Sequence, residues 1–184
     1  GSEMCIRDRI LTASKLDDEK RLGEILDEMR SRSRMRLEGA SHSAAVARAC
    51  SYFSPVRAFD DMTGGIEYFH FLEKTADAYS KDEKFRKELV RKLKETAEKL
   101  FAADNLMVGY TADEEGYKAL PEELKKFKAA LSDKPSRRYA FEFVPELKNE
   151  GFKTSSKVNY VARCGSFDAE AYTGALEVLK VIMN

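Results

Sequence analysis

His42 and His70 are the only imidazoles in the 184-residue chain. Glu67-x-x-His70 has the spacing of a helix-borne di-iron ligand pair. Such a site takes a second pair and two more carboxylates from facing helices, and no second Glu-x-x-His occurs. His70-Phe71-Leu72-Glu73-Lys74 follows the spacing of H-x-x-E-H, in which two histidines bind zinc. Lys74 stands where the second histidine belongs, and an ammonium has no lone pair to give a metal. A metal enzyme built on Glu67, His70 and Glu73 is therefore the weak reading, and His70 reads as a structural residue on a helix flank. His42, between Ser41 and Ser43, has no evident third group to orient it as a base; it reads as marking a helix start. No catalytic and no metal-ligating residue is assigned, and no substrate-binding residue can be named.

Two further groupings invite a functional reading. Arg30, Arg32, Arg34 and Arg36 alternate with other residues, which could suggest RNA contact. A spacing of two fans charges around a helix instead of building one stripe, so a solvated face is the preferred reading. Thr63-Gly64-Gly65 lacks the further Gly, Lys and Ser/Thr of a phosphate-binding loop and reads as a packing or entry turn. Lys+Arg and Asp+Glu both number 32, for zero net charge; no global field favours nucleic acid or an anionic membrane. No apolar run is long enough for a transmembrane helix. Of three cysteines, Cys50 and Cys164 lie among apolar neighbours and read as reduced, buried thiols. A cytoplasmic location is preferred to secretion.

The elements that would carry these residues are mostly helical. Ser14 with Asp17 looks like a capping box, opening a helix with Leu22, Ile25, Leu26 and Met29 on one face that runs towards Gly39. An Ala-rich helix over about 42–52 follows, broken by Ser54-Pro55. A third, about 61–79, turns Met62, Ile66, Phe69, Leu72, Ala76 and Tyr79 inward. A fourth, about 82–102, buries Phe85, Leu89, Leu93, Ala97 and Leu100 and displays Glu83/Lys87, Glu88/Lys92 and Glu95/Lys99 in the favourable i,i+4 order. Period two then appears at Leu106, Val108 and Tyr110, which predicts a strand. Thr111 with Glu114 opens a short helix that Pro121 restarts, with Tyr117, Leu120, Leu124, Phe127 and Leu131 in one stripe. Two more strand-like runs, Tyr139–Val144 and Lys157–Cys164, follow a polar stretch containing Pro135. A last helix, about Asp168 to Met183, carries Tyr172, Leu176, Leu179 and Ile182/Met183 as an apolar stripe in need of a partner surface. These elements predict an α+β, predominantly helical fold.

Both ends point to a piece of a larger protein. Gly1-Ser2 reads as a cloning scar and Glu3–Asp8 as the translation of a sequencing adaptor, so residues 1–9 are set aside. The final helix has no ordinary stop signal beyond Asn184. The open stripe at Leu176, Leu179 and Ile182 predicts pairing, for instance in a homodimer.

Several segments, in order, resemble the presequence-protease branch of the insulinase-type (pitrilysin) zinc metallopeptidases. They are Ser41–Ala45 through Ala49–Pro55, Asp61–Ile66 through Phe69–Leu72, Asn105–Val108 with Thr111–Glu115, Asn149–Thr154, Val158–Ala162 and Tyr172–Leu176. The resemblance covers nearly all of residues 15–184. It implies a fold of helices packed on an antiparallel sheet, present here as partial domains. Residues 10–134 would be the later part of a third peptidase-like domain, 135–149 a linker, and 150–184 the opening of a fourth. In that family, zinc and the general base sit on an H-x-x-E-H helix in the first domain, and the fourth domain supplies an Arg and a Tyr. None of these groups lies within this chain, so no catalytic residue transfers and no cofactor is expected in the chain itself, zinc belonging to the parent. The resemblance thus implies a non-catalytic wall and scaffold segment of a peptidase for short unstructured peptides. Its partners would be the parent's other domains and the peptide, with neither nucleic acid nor membrane. The alternative is a stand-alone helical protein-binding module without enzymatic activity.

Overall fold

The structure, a computed structural model, describes residues 14–135, 139–144, 146–155, 157–166 and 174–183. Seven α-helices are present among them: α1 Glu19–Gly39, α2 Ser41–Ser51, α3 Pro55–Gly64, α4 Ile66–Lys81, α5 Glu83–Leu100, α6 Glu114–Ala129 and α7 Gly174–Met183. A short 3-10 turn, Ala103–Asn105, follows α5. The helix start expected near Asp168, with Tyr172, and the tail 1–9 lie outside the described residues.

The expected antiparallel sheet is absent among the described residues, which correspond to an all-helical fold. Leu106–Tyr110, Tyr139–Val144 and Lys157–Cys164 run without strand pairing wherever they are described. Alternation records only that a chain has two faces; a strand also needs a neighbour to take its backbone hydrogen bonds. The pairing seen is a single parallel bridge between Ala102 and Ser132.

The chain divides into two compact units. One comprises the residues up to Glu28 with Lys74–Phe141, the other Met29–Glu73 with the residues from Glu142 onward. In the first, Tyr79 is buried and its hydroxyl donates to the Glu19 carbonyl at 2.8 Å. Its ring lies so close to Gly23 that a β-carbon there would sit 3.4 Å from Tyr79 Cε1. Lys94 pairs with Asp17 at 2.8 Å. α5 turns Phe85, Leu89, Leu93 and Ala97 to a half-buried face, but Leu100 at its end is exposed. Glu83–Lys87 and Glu88–Lys92 pair as expected, whereas Glu95 is held by Arg91. Asn105 Nδ2 donates to the Leu100 carbonyl, satisfying an end group of α5. Pro121 lies inside one continuous helix, and does not divide it. The apolar stripe of Leu120, Leu124 and Phe127 is half-buried along the helix that holds this proline. The cap of α6 is Asp113, which accepts from Gly116 N, and not Thr111. Likewise Asp18, which accepts from Arg21 N, serves the start of α1.

In the second unit the helix expected to start near 61 is divided. Ser54 accepts from Arg57 N and Pro55 takes the first position of α3, where its missing N–H costs nothing. The break falls at Gly65, which separates α3 from α4. A β-carbon on Gly65 would come 2.2 Å from Asp61 Oδ1 and 2.8 Å from Asp61 Cα, so the approach of α4 to the end of α3 requires glycine. Ile66 and Leu72 of α4 are buried as the periodicity predicts, as are Ala76 and Tyr79 in its later turns, while Met62 on α3 is exposed. α7 buries no residue, and Val181, Ile182 and Met183 are each three-quarters exposed.

Candidate functional site

The second unit holds a groove of about 1320 Å³. Its helical side comes from the end of α1, the Ala44/Ala45/Ala49 face of α2 and the start of α4; the other side is residues 148–155 and 158–162. The small side chains of α2 let the extended segment approach. His42 stacks against Tyr160 with ring centroids 5.8 Å apart, and His70 lies 6.1 Å from Phe152.

Arg48 is the polar hub. Its side chain is 14% exposed, and Nη1 lies 2.5 Å from Asp61 Oδ2, a carboxylate only 5% exposed. Nε and Nη2 fork onto Glu150 at 2.8 and 3.2 Å, the bidentate geometry that suits a guanidinium. Glu67 stands 3.6 Å from Nη1. Nε also donates to the Tyr52 hydroxyl, which donates in turn to Glu150, and the guanidinium lies over the Tyr52 and Phe152 rings. Asp61 spends its other oxygen on Ile66 N at 2.9 Å, so one carboxylate caps α4 and anchors Arg48. Burial opposes the Arg48 charge, but Glu150 and Asp61 more than offset it and raise its pKa. The hydrogen bond from Arg48 holds the Glu150 carboxyl below its usual value. Burial, reinforced by the Glu150 hydrogen bond, pushes the Tyr52 phenol up to about 12.

The residues considered as metal ligands are not assembled as a ligand set. Glu67 faces Arg48. Glu73 pairs with Arg34 at 2.8 Å and stands 3.6 Å from His70 Nδ1. Among the described residues no group of three or more His, Cys, Asp or Glu side chains is placed to hold a metal ion. Arg34 and Arg36 are not simply solvated. Arg34 also lies over the Phe69 ring, and Arg36 donates to the Gly64 carbonyl. The Arg48 hub was missed in the sequence, where the one clue was a lone charge set among alanines with carboxylates downstream. Also missed was the facing of Cys50 and Cys164, whose sulfurs lie 2.7 Å apart. Both are free and only partly buried.

Residues 4–74 match the family described as peptidase-associated, of subfamily C of the M16 peptidases. The chain is 28% identical over 179 residues to "Protein HypA" of Clostridium perfringens (strain 13 / Type A), covering 96% of this chain and 18% of that protein. It is 24% identical over 164 residues to "Presequence protease 1, chloroplastic/mitochondrial" of Arabidopsis thaliana, covering 89% of this chain and 15% of that protein. The chain belongs to the insulinase-type (M16) peptidase family. It spans less than a fifth of the length of either relative. No solved structure matches it. M16 peptidases are in general zinc enzymes, and the donors of this M16 chain do not fit zinc. His70 has one carboxylate nearby, Glu73, and Arg34 already engages it; a zinc site takes at least three protein ligands. No hydrolytic step is therefore derived through metal here.

Proposed function

We propose that this M16 chain is a non-catalytic wall and scaffold segment of a zinc peptidase that degrades short unstructured peptides. The observation that carries the reading is the similarity to a presequence protease along 89% of the chain. The described geometry supports a scaffold role, because the carboxylates of the groove are tied to arginines and none is paired with a nucleophile or a metal-ligand set. The groove's chemistry instead holds an extended stretch of polypeptide, residues 148–162, against helices through one ionic fork and aromatic contacts. In the parent, zinc and its base come from another domain, and this segment contributes shape.

The test uses a quenched fluorescent peptide, zinc, and two proteins: the 184-residue chain, and the product of the gene recovered with its flanking DNA. The longer product is expected to cleave the peptide and to lose the activity to a chelator. The chain alone is expected to leave the peptide intact. Zinc-dependent cleavage by the chain alone would overturn the non-catalytic reading. Flanking DNA that encodes no H-x-x-E-H would overturn the peptidase reading and favour a protein-binding module.

A further inference from the structure

Cys50 on α2 and Cys164 on the extended segment bring their sulfurs to 2.7 Å although 114 positions separate them in the chain. They share a cleft of about 310 Å³ with Phe53, Ser54, Arg57 and Gly165. A disulfide needs an S–S distance near 2.05 Å, so only a small approach separates the two thiols from a bond. Arg57 at the rim is largely exposed and is held by Asp60 only at 3.4 Å, which leaves a guanidinium able to receive a carboxylate beside the sulfurs.

We propose that Cys50 and Cys164 form a reversible disulfide by exchange with a small anionic disulfide of the glutathione class. The Cys50 thiolate attacks one sulfur of the small disulfide. A Cys50–sulfur bond forms, the small molecule's S–S bond breaks, and one small thiolate leaves and takes up a proton. Cys164, deprotonated in turn, attacks Cys50 Sγ; the mixed disulfide breaks and the second small thiolate leaves. The protein pair loses two electrons and two protons, and the small disulfide is reduced to two thiols. Burial and the neighbouring Cys50 push the Cys164 thiol up to about 11, which suits it to the second, intramolecular attack, where proximity compensates for a low thiolate fraction. The new bond would fasten the extended wall of the groove to α2.

The experiment uses the full 184-residue chain carrying Cys5→Ser, equilibrated with oxidised and reduced glutathione at several ratios, acid-quenched, alkylated and weighed. At oxidising ratios the intact mass should fall by two hydrogens and both alkylatable thiols should be lost. A Cys50–Cys164 cross-linked peptide should appear, and dithiothreitol should reverse all three changes. Cys164→Ser, checked as folded by its helical circular dichroism, should trap one glutathione on Cys50. Arg57→Ala should slow exchange with glutathione disulfide about threefold but leave exchange with neutral hydroxyethyl disulfide unchanged, as expected when one partly screened charge attracts the reagent. Glutathione adducts that persist on the Cys5→Ser protein without ring closure would overturn the proposal, as would two thiols that stay alkylatable at every ratio. An adduct on Cys164 and none on Cys50 in the single-cysteine variants would overturn the order of attack.

Discussion

Arg48→Met is the substitution that most directly tests how the second unit is held. Methionine keeps much of the stem that packs near the Tyr52 and Phe152 rings, so the change isolates the guanidinium. Three carboxylates lose a partner, but not equally. Glu67, 54% exposed, and Glu150, 27% exposed, can turn to water, and each such pair contributes at most about 1 kcal/mol. Asp61, 5% exposed, cannot. It keeps the Ile66 amide but retains a charge facing a vacated, poorly hydrated space, and stranding one member of a buried pair costs roughly 3–5 kcal/mol. The expected loss is thus about 3–5 kcal/mol, dominated by Asp61. With a urea slope of about 2 kcal/mol/M, the midpoint followed by helical circular dichroism should fall by roughly 1.5–2.5 M. The mechanism makes a second demand. Asp61→Asn removes the stranded charge while its carbonyl can still accept from Ile66, so Arg48→Met/Asp61→Asn should be more stable than the sum of the single losses by about 1–3 kcal/mol. A single-variant loss below about 1 kcal/mol, or strict additivity in the double variant, would refute the buried-pair account.

Gly65→Ala should cost about 2–4 kcal/mol, from a methyl forced onto Asp61 and the loss of its cap on α4; a urea midpoint equal to wild type would show that the α3–α4 junction relaxes freely. The Glu150 pKa is depressed in the folded state, so its contribution is complete above its ordinary value of 4.5 and is lost as pH falls through the lower folded value. The stability gap between wild type and Glu150→Gln should therefore close on acidification below about pH 4.5, read as converging urea midpoints; a constant gap would count against the Arg48 fork. On α5, Lys87→Ala removes an exposed partner of Glu83 and should leave the midpoint unchanged at moderate salt, because exposed pairs are screened.

What could be read from sequence was what depends on near neighbours. The faces of α4 and α5 follow from apolar spacing alone, and Ile66, Leu72, Ala76 and Tyr79 are buried where that spacing puts them. The same local reasoning failed wherever a distant residue decided. Pro55 could be seen to interrupt a helix, but whether it also began one depended on Ser54 capping α3. Gly64-Gly65 could be seen as a turn, but the need for glycine at 65 comes from Asp61, which α4 must pass at contact distance.

The unpaired extended runs make the strongest case for the limits of pattern. Lys157–Cys164 alternates like a strand, yet the described contacts of its neighbourhood are made by side chains to helices: Tyr160 to His42, Cys164 to Cys50, and, just before it, Glu150 to Arg48. Alternation sets which side chains face the helices, and these contacts use that facing without any backbone ladder. Arg48 could be noticed as a charge among alanines, but its partners lie 13 and 102 positions away, beyond any periodicity. The site is therefore a product of tertiary closure. Its chemistry is to bind polypeptide and not to cleave it, and perturbing Arg48 should disturb the groove before it disturbs any single helix.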